Sequence, residues 1–197
     1  GYPLYGQSLT PGQMLESEFE AFLEVRPDQR DDEDLVTHNR SEEWRAQEAA
    51  DDLCAVSKAV VRCVQHLVRV DRLKKVRVFD GFKRVVVDEK KAIVVPPDII
   101  GTSNWLPAIE LYGEGIFVAL DEEKLGKWEQ QPAVLSRLEK LQHRFAQSGR
   151  QKPELLTSRF MLLHTLSHLL MRQIESEGGY PAASLSERIY CSNSPNR

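Results

Sequence analysis

The sequence predicts an α+β fold, with short antiparallel strands and hairpins flanked by N-terminal helices and a C-terminal helical hairpin. Three observations carry that reading. Apolar residues recur at helical spacing near both ends: Met14, Leu15, Phe19, Phe22 and Leu23, and again Leu162, Leu163, Leu166, Leu169, Leu170 and Ile174. Between Arg72 and Leu120 the rhythm changes to period two, as in Val76 and Val78, Val85 and Val87, Ile93 and Val95. The strands form one block between helical blocks, which argues against an alternating parallel sheet.

Taken in order, Gly1–Pro11 reads as an extended lead-in, and Thr10-Pro11 opens an acidic amphipathic helix with Pro at its first position. Such a helix docks on the core of its own chain or on a partner. Pro27–Arg40 is polar and acidic and is expected to be a solvated loop. Ser41 to about Val70 is expected to be a long helix, with Ser41 as cap and Trp44, Leu53, Val56, Val60 and Val64 on its apolar face; the valines from Val60 onward also suit a strand. Arg72–Val95 then reads as short hairpins punctuated by Asp80-Gly81 and Asp88-Glu89-Lys90. Asp98–Asn104 is a turn-rich connector. Trp105–Leu120 reads as strand, turn, strand, with the turn at Gly113-Glu114-Gly115. Two helices follow over Asp121–Trp128 and Ala133–Ala146, split by Pro132, and a polar loop over Ser148–Pro153 leads on. The leucine-rich helix from Arg159 should stop at Gly178-Gly179, and Ala182–Tyr190 should form the second, shorter arm of the helical hairpin.

The chain has 197 residues, 41% hydrophobic and 28% charged, enough for one good-sized core or two small ones. The expected division is an acidic lead-in helix and linker over residues 1–40 and an α+β domain over 41–197. The first residue is Gly rather than Met and the last segment, CSNSPNR, has no structural ending, so a fragment of a longer protein is expected. No run of about 18 apolar residues suggests a membrane span, and no secretory signal opens the chain. Cys54, Cys63 and Cys191 fit neither a disulfide framework nor a zinc clip and read as free thiols in a reducing cytoplasm.

The net charge of −4 is unevenly spread. Residues 1–52 hold fourteen Asp/Glu against four Arg, whereas residues 62–91 hold ten Lys/Arg against four Asp/Glu. That basic set includes Arg69, Arg72, Lys74, Lys75, Arg77, Lys83 and Arg84, interleaved with Phe79 and Phe82. Basic residues among aromatics suit phosphate contacts and base stacking on single strands. An ordinary charged sheet face with both Phe buried explains the same pattern. Walker A and GxGxxG loops are both absent from the sequence, so any ATP-driven step is expected in another segment or subunit.

No catalytic residue and no metal ligand is assigned. His164 and His168 share a helix face at i, i+4, but HTLSH lacks the Glu of HExxH, and no neighbouring Cys or carboxylate completes a site. Both are expected as packed histidines of a leucine-rich helix; a metal-dependent hydrolase using His164 and His168 is the remote alternative. Glu110 and Glu114 could form an acid–base pair, but Glu114 is expected to cap a turn or meet Arg172 or Arg188.

The stretch LLHTLSHLLMRQIESEGGYPAASLSERIY resembles the helicase-associated C-terminal domain of the DrmB family, from the bacterial anti-phage system DISARM. NWLPAIELYGEGIFVAL and, more weakly, RLKKVRVFDGFKRV agree in the same order. The resemblance implies a non-catalytic, cytoplasmic subunit. Its partners would be the DISARM helicase subunit (DrmA-like, superfamily 2) and DNA, single-stranded DNA included, with no membrane. A protein-interaction scaffold without DNA contacts of its own is the alternative. No cofactor is expected in this chain; zinc is expected only in a Cys-rich region that follows in the family and is not part of this sequence.

Overall fold

A computed structural model describes residues 11–83, 94, 95, 97, 101, 105–148 and 156–191, without the side chains of 11–14, 83 and 94. The expectations for Gly1–Thr10, for strands at Val85, Val87 and Ile93, for the Asp88-Glu89-Lys90 turn, for most of the connector over Asp98–Asn104 and for most of the Ser148–Pro153 loop lie outside the described residues.

The fold is α+β. In chain order come α1 (Pro11–Leu23), β1 (Leu35–Asn39), α2 (Ser41–Ala46), a 3-10 turn (Gln47–Ala49), α3 (Ala55–Cys63), β2 (Val64–Val78), β3 (Phe82–Lys83) and β4 (Val94–Val95). Then follow β5 (Ala108–Leu120), α4 (Glu122–Glu129), α5 (Pro132–Gln147), α6 (Ser158–Gly178) and a 3-10 turn (Ala182–Ser184). The main antiparallel sheet has strand order β1-β2-β5, and β3 pairs antiparallel with β4 through Phe82–Val95 and Lys83–Val94.

Five expectations are corrected. The acidic loop ends in a strand, β1, because Leu35 and Val36 pair with Leu73 and Arg72 and bury Val36. The long helix from Ser41 is broken: Ala50 turns extended, and Cys54 starts α3 afresh, its sulfur accepting from the Ser57 N–H at 3.5 Å. From Val64 the β-branched run goes into a 15-residue strand rather than a helix or short hairpins. Gly113-Glu114-Gly115 is no turn: β5 passes straight through it, and neither glycine has a positive φ. The second arm of the C-terminal hairpin is also missing. Gly179 does end α6 in the left-handed region at φ 71°, but only one 3-10 turn follows, and Leu185–Tyr190 is non-helical. There the Ser184 hydroxyl bonds back to the Pro181 carbonyl at 2.7 Å, and Glu187 and Arg188 are committed to side chains elsewhere.

By its contacts the chain divides into two units. One comprises Val25–Glu42 and His66–Val118. Its core is Val36, Val68, Val70 and Phe117. β1 is an edge strand, and its free edge is covered by the Gln29 side chain, whose amide bonds both the N–H and the C=O of Thr37. Buried Ser41 accepts from the Leu67 N–H at 3.0 Å, and so joins the end of β1 to β2.

The other unit comprises Gly1–Glu24, Glu43–Gln65 and Ala119–Arg197. Trp44 donates to the Val61 carbonyl at 3.2 Å, and the Asp121 N–H to the Cys63 carbonyl at 2.8 Å. Asp121 caps α4 by accepting from the Lys124 N–H. Arg159, at the start of α6, forks across Glu122 (2.6 Å) and Glu129 (3.0 Å) of α4. α1 sits against the C-terminal segment: Arg188 pairs with Glu18, the Tyr190 hydroxyl donates to Glu18 at 3.2 Å, and Phe19 and Phe22 stand edge-on to the Tyr190 ring. The expected docking of the acidic helix is thus on this chain's own C-terminal segment.

Candidate functional site

Five of the seven predicted basic residues, Arg69, Arg72, Lys74, Lys75 and Arg77, lie on β2. Simple alternation would group Arg69 with Lys75 and Arg77, and Arg72 with Lys74. A bulge changes this. Val36 pairs with Arg72 but Thr37 pairs with Val70, so Asp71 is an extra residue opposite no partner. Cross-strand partners share a face, so Arg69 (opposite His38) and Arg72 (opposite Val36) fall on one face, with Lys74 next along it. Lys75 and Arg77 continue the opposite face, after Val68, Val70 and Leu73. Lys83 is placed only as a β3 residue paired with Val94, and Arg84 lies outside the described residues.

The first face is largely engaged. Arg69 pairs with Asp71 at 2.7 Å, and the same carboxylate lies 3.2 Å from His38. The Arg72 guanidinium stacks over Tyr112 of β5, 3.9 Å from the ring centroid. Lys74 meets Glu110 at 2.8 Å and Asp34 at 3.5 Å. That hydrogen bond to Glu110 raises the Lys74 pKa and lowers that of Glu110. Glu110 is therefore a lysine partner, not half of a carboxylate dyad. Glu114 lines a shallow cleft of about 560 Å³ with Arg72, Tyr112 and Asp71; Arg188, one of its two expected partners, is instead on Glu18.

On the second face, Lys75 and Arg77 are exposed, and neither makes an ion pair with another described residue. Phe79 follows two residues on and is 47% exposed; Phe82 is 39% exposed. Of the two readings of the basic stretch, the ordinary sheet face with both Phe buried does not hold. Sequence spacing could not reveal that Arg72 and Lys74 are engaged, because Tyr112 and Glu110 are far away in the chain.

The histidines are also placed differently from the expectation of packed core residues. His164 and His168 are 46% and 51% exposed at their side chains, with rings edge-to-face at 4.5 Å. Glu187, 19 residues beyond His168, supplies the carboxylate that no local motif contained. Its Oε1 lies 2.8 Å from His164 Nδ1 and 3.8 Å from His168 Nε2. The Ser167 hydroxyl donates to Oε2, and Phe160 stacks on His164 at 5.7 Å. Partial burial acts to raise the Glu187 pKa, but Ser167 and the two imidazoles outweigh it and hold the carboxyl below its ordinary range.

No helix among the described residues is long and apolar enough to cross a membrane. No family model matches the chain. The chain is similar to the DISARM protein DrmB of Bacillus paralicheniformis, 35% identical over 136 residues, which cover 64% of this chain and 24% of that relative. The chain thus spans about a quarter of the length of the curated relative it matches. At that identity the similarity supports assigning this chain to the DrmB family.

Proposed function

We propose that the chain is a non-catalytic component of a DISARM-type defence against phage, acting beside a DrmA-like superfamily 2 helicase subunit and contributing contacts to DNA. The similarity to DrmB carries the first part. The second rests on Lys75, Arg77 and Phe79. They are exposed, spaced by two along one strand direction, and free of the carboxylates that engage Arg69 and Lys74. Two cations followed by an aromatic ring offer phosphate contacts and a stacking surface. The reading needs no cofactor and no reaction in this chain.

The test is DNA binding by the chain, with and without the helicase subunit, across a salt series. Lys75→Glu/Arg77→Glu should weaken binding and flatten the dependence of log K on log salt by roughly 1.4 to 1.8, two phosphate contacts' worth. Lys74 is left alone because its replacement would break the pairs with Glu110 and Asp34. A double variant that binds as the wild type does removes the strand from the interface.

A second reading, a scaffold for the helicase with no DNA contact of its own, draws on the apolar side chains that β2 and β5 leave exposed: Val76, Val78, Ile109, Leu111 and Ile116. In that case the isolated chain shows no salt-sensitive affinity yet co-purifies with the helicase.

A further inference from the structure

We infer that His164, His168 and Glu187 form a binding site for one first-row divalent transition-metal ion of the zinc class. The three ligand atoms, one from each side chain, lie within 4.8 Å of one another. In a tetrahedral zinc site with bonds near 2.0–2.2 Å, neighbouring ligand atoms are about 3.3–3.5 Å apart. The pairs at 2.8 and 3.8 Å bracket that spacing. Small rotamer adjustments of half-exposed side chains bring all three onto one ion.

The donor chemistry selects the metal. Two imidazoles and one carboxylate suit zinc, iron(II), cobalt(II) or nickel(II); magnesium and calcium prefer all-oxygen sites. The surroundings are those of a positioned ligand set. The Ser167 hydroxyl holds Oε2 of Glu187, leaving Oε1 as the single oxygen facing both imidazoles. Phe160 lies parallel to the His164 ring, interplanar angle 7°, and limits its rotation. Such outer contacts orient metal ligands. The exposure of both histidines provides the entry path.

The ligands come from two segments. His164 and His168 are one turn apart on α6, and Glu187 lies in the non-helical stretch after the Ala182–Ser184 turn. A bound ion therefore fastens residues 185–191 to α6. Three protein ligands leave at least one coordination position to water.

The experiment uses the chelator-treated chain loaded with zinc or cobalt(II) salts alone. Metal content after gel filtration, the ligand-field absorption of bound cobalt and a zinc titration are measured. One ion per chain is expected, with a cobalt spectrum of nitrogen and oxygen ligation lacking a thiolate charge-transfer band. His168→Ala should weaken binding at least about tenfold. It leaves the His164–Glu187 contact in place, and circular dichroism checks that the fold is kept. Glu187→Gln should act alike, and Cys54→Ser should have no effect. The site is disproved by an unloaded wild type, by unchanged affinity in both ligand variants, or by a thiolate band that disappears with Cys54.

Discussion

Arg159 is held on two sides at once. Its side chain is 13% exposed, and its planar fork meets Glu122 and Glu129 on one side of α4, about two turns apart. Those two carboxylates also raise its pKa further above its ordinary value, with Glu129 contributing most. Hydrogen bonds to charged groups contribute about 1.5–3 kcal/mol. Arg159→Ala should therefore destabilise by about 2 kcal/mol in urea unfolding, the exposed Glu122 share being screened. Arg159→Lys should recover less than half, because an ammonium cannot hold two carboxylates through a rigid fork. A fully restored lysine variant would mean that the charge alone matters. The sequence marked none of this. It placed Arg159 correctly at the start of a helix, but the two acids sit 30 and 37 residues earlier, beyond any helical spacing rule.

At the scale of elements, the helices from α4 onward were legible because their signals are local: the break at Pro132 and the stop at Gly179 were read directly, although Asp121 proves to cap α4 rather than belong to it, and Pro132 to open α5 rather than precede it. The strands were legible in type but not in length. Period two was visible, yet where β2 and β5 end is set by pairing with each other rather than by turn residues. Gly113 and Gly115 misled because a glycine pair around a polar residue suits a turn equally well. The glycines themselves distinguish the cases. A Cβ on Gly113 or Gly115 meets nothing within 4 Å, and neither has a positive φ, so Gly113→Ala and Gly115→Ala should be neutral or stabilising by up to about 1 kcal/mol. Gly179→Ala, at φ 71°, should cost about 1 kcal/mol or more. Thermal unfolding of the three variants decides it; a large loss at Gly113 would restore the turn.

For the whole molecule, the longest-range link described is also pH-sensitive. Glu18 of α1 meets Arg188 and Tyr190, some 170 residues later. Burial, and then the Glu18 charge, push the Tyr190 phenol up to about 12, against about 10 for an unfolded tyrosine. The fold thus favours the neutral phenol. Its contribution is complete below about pH 10 and is lost as the pH rises toward 12. Urea midpoints should fall more steeply across that window in the wild type than in Tyr190→Phe; parallel curves would dissociate the phenol from docking of α1. The uneven charge of the chain was plain from composition, but composition could not show how it cancels locally. Asp71 illustrates this. As the supernumerary residue of a bulge, it can be cut out with every other β2 side chain keeping its side of the sheet, since Arg72 would simply follow Val70 in ordinary alternation. What the excision would remove is a counter-ion: Arg69 and His38 would lose their shared carboxylate. One codon's worth of length therefore works as a charge dial, setting how basic the Arg69–Arg72–Lys74 face is while the pairing of β2 with β1 closes into regular alternation.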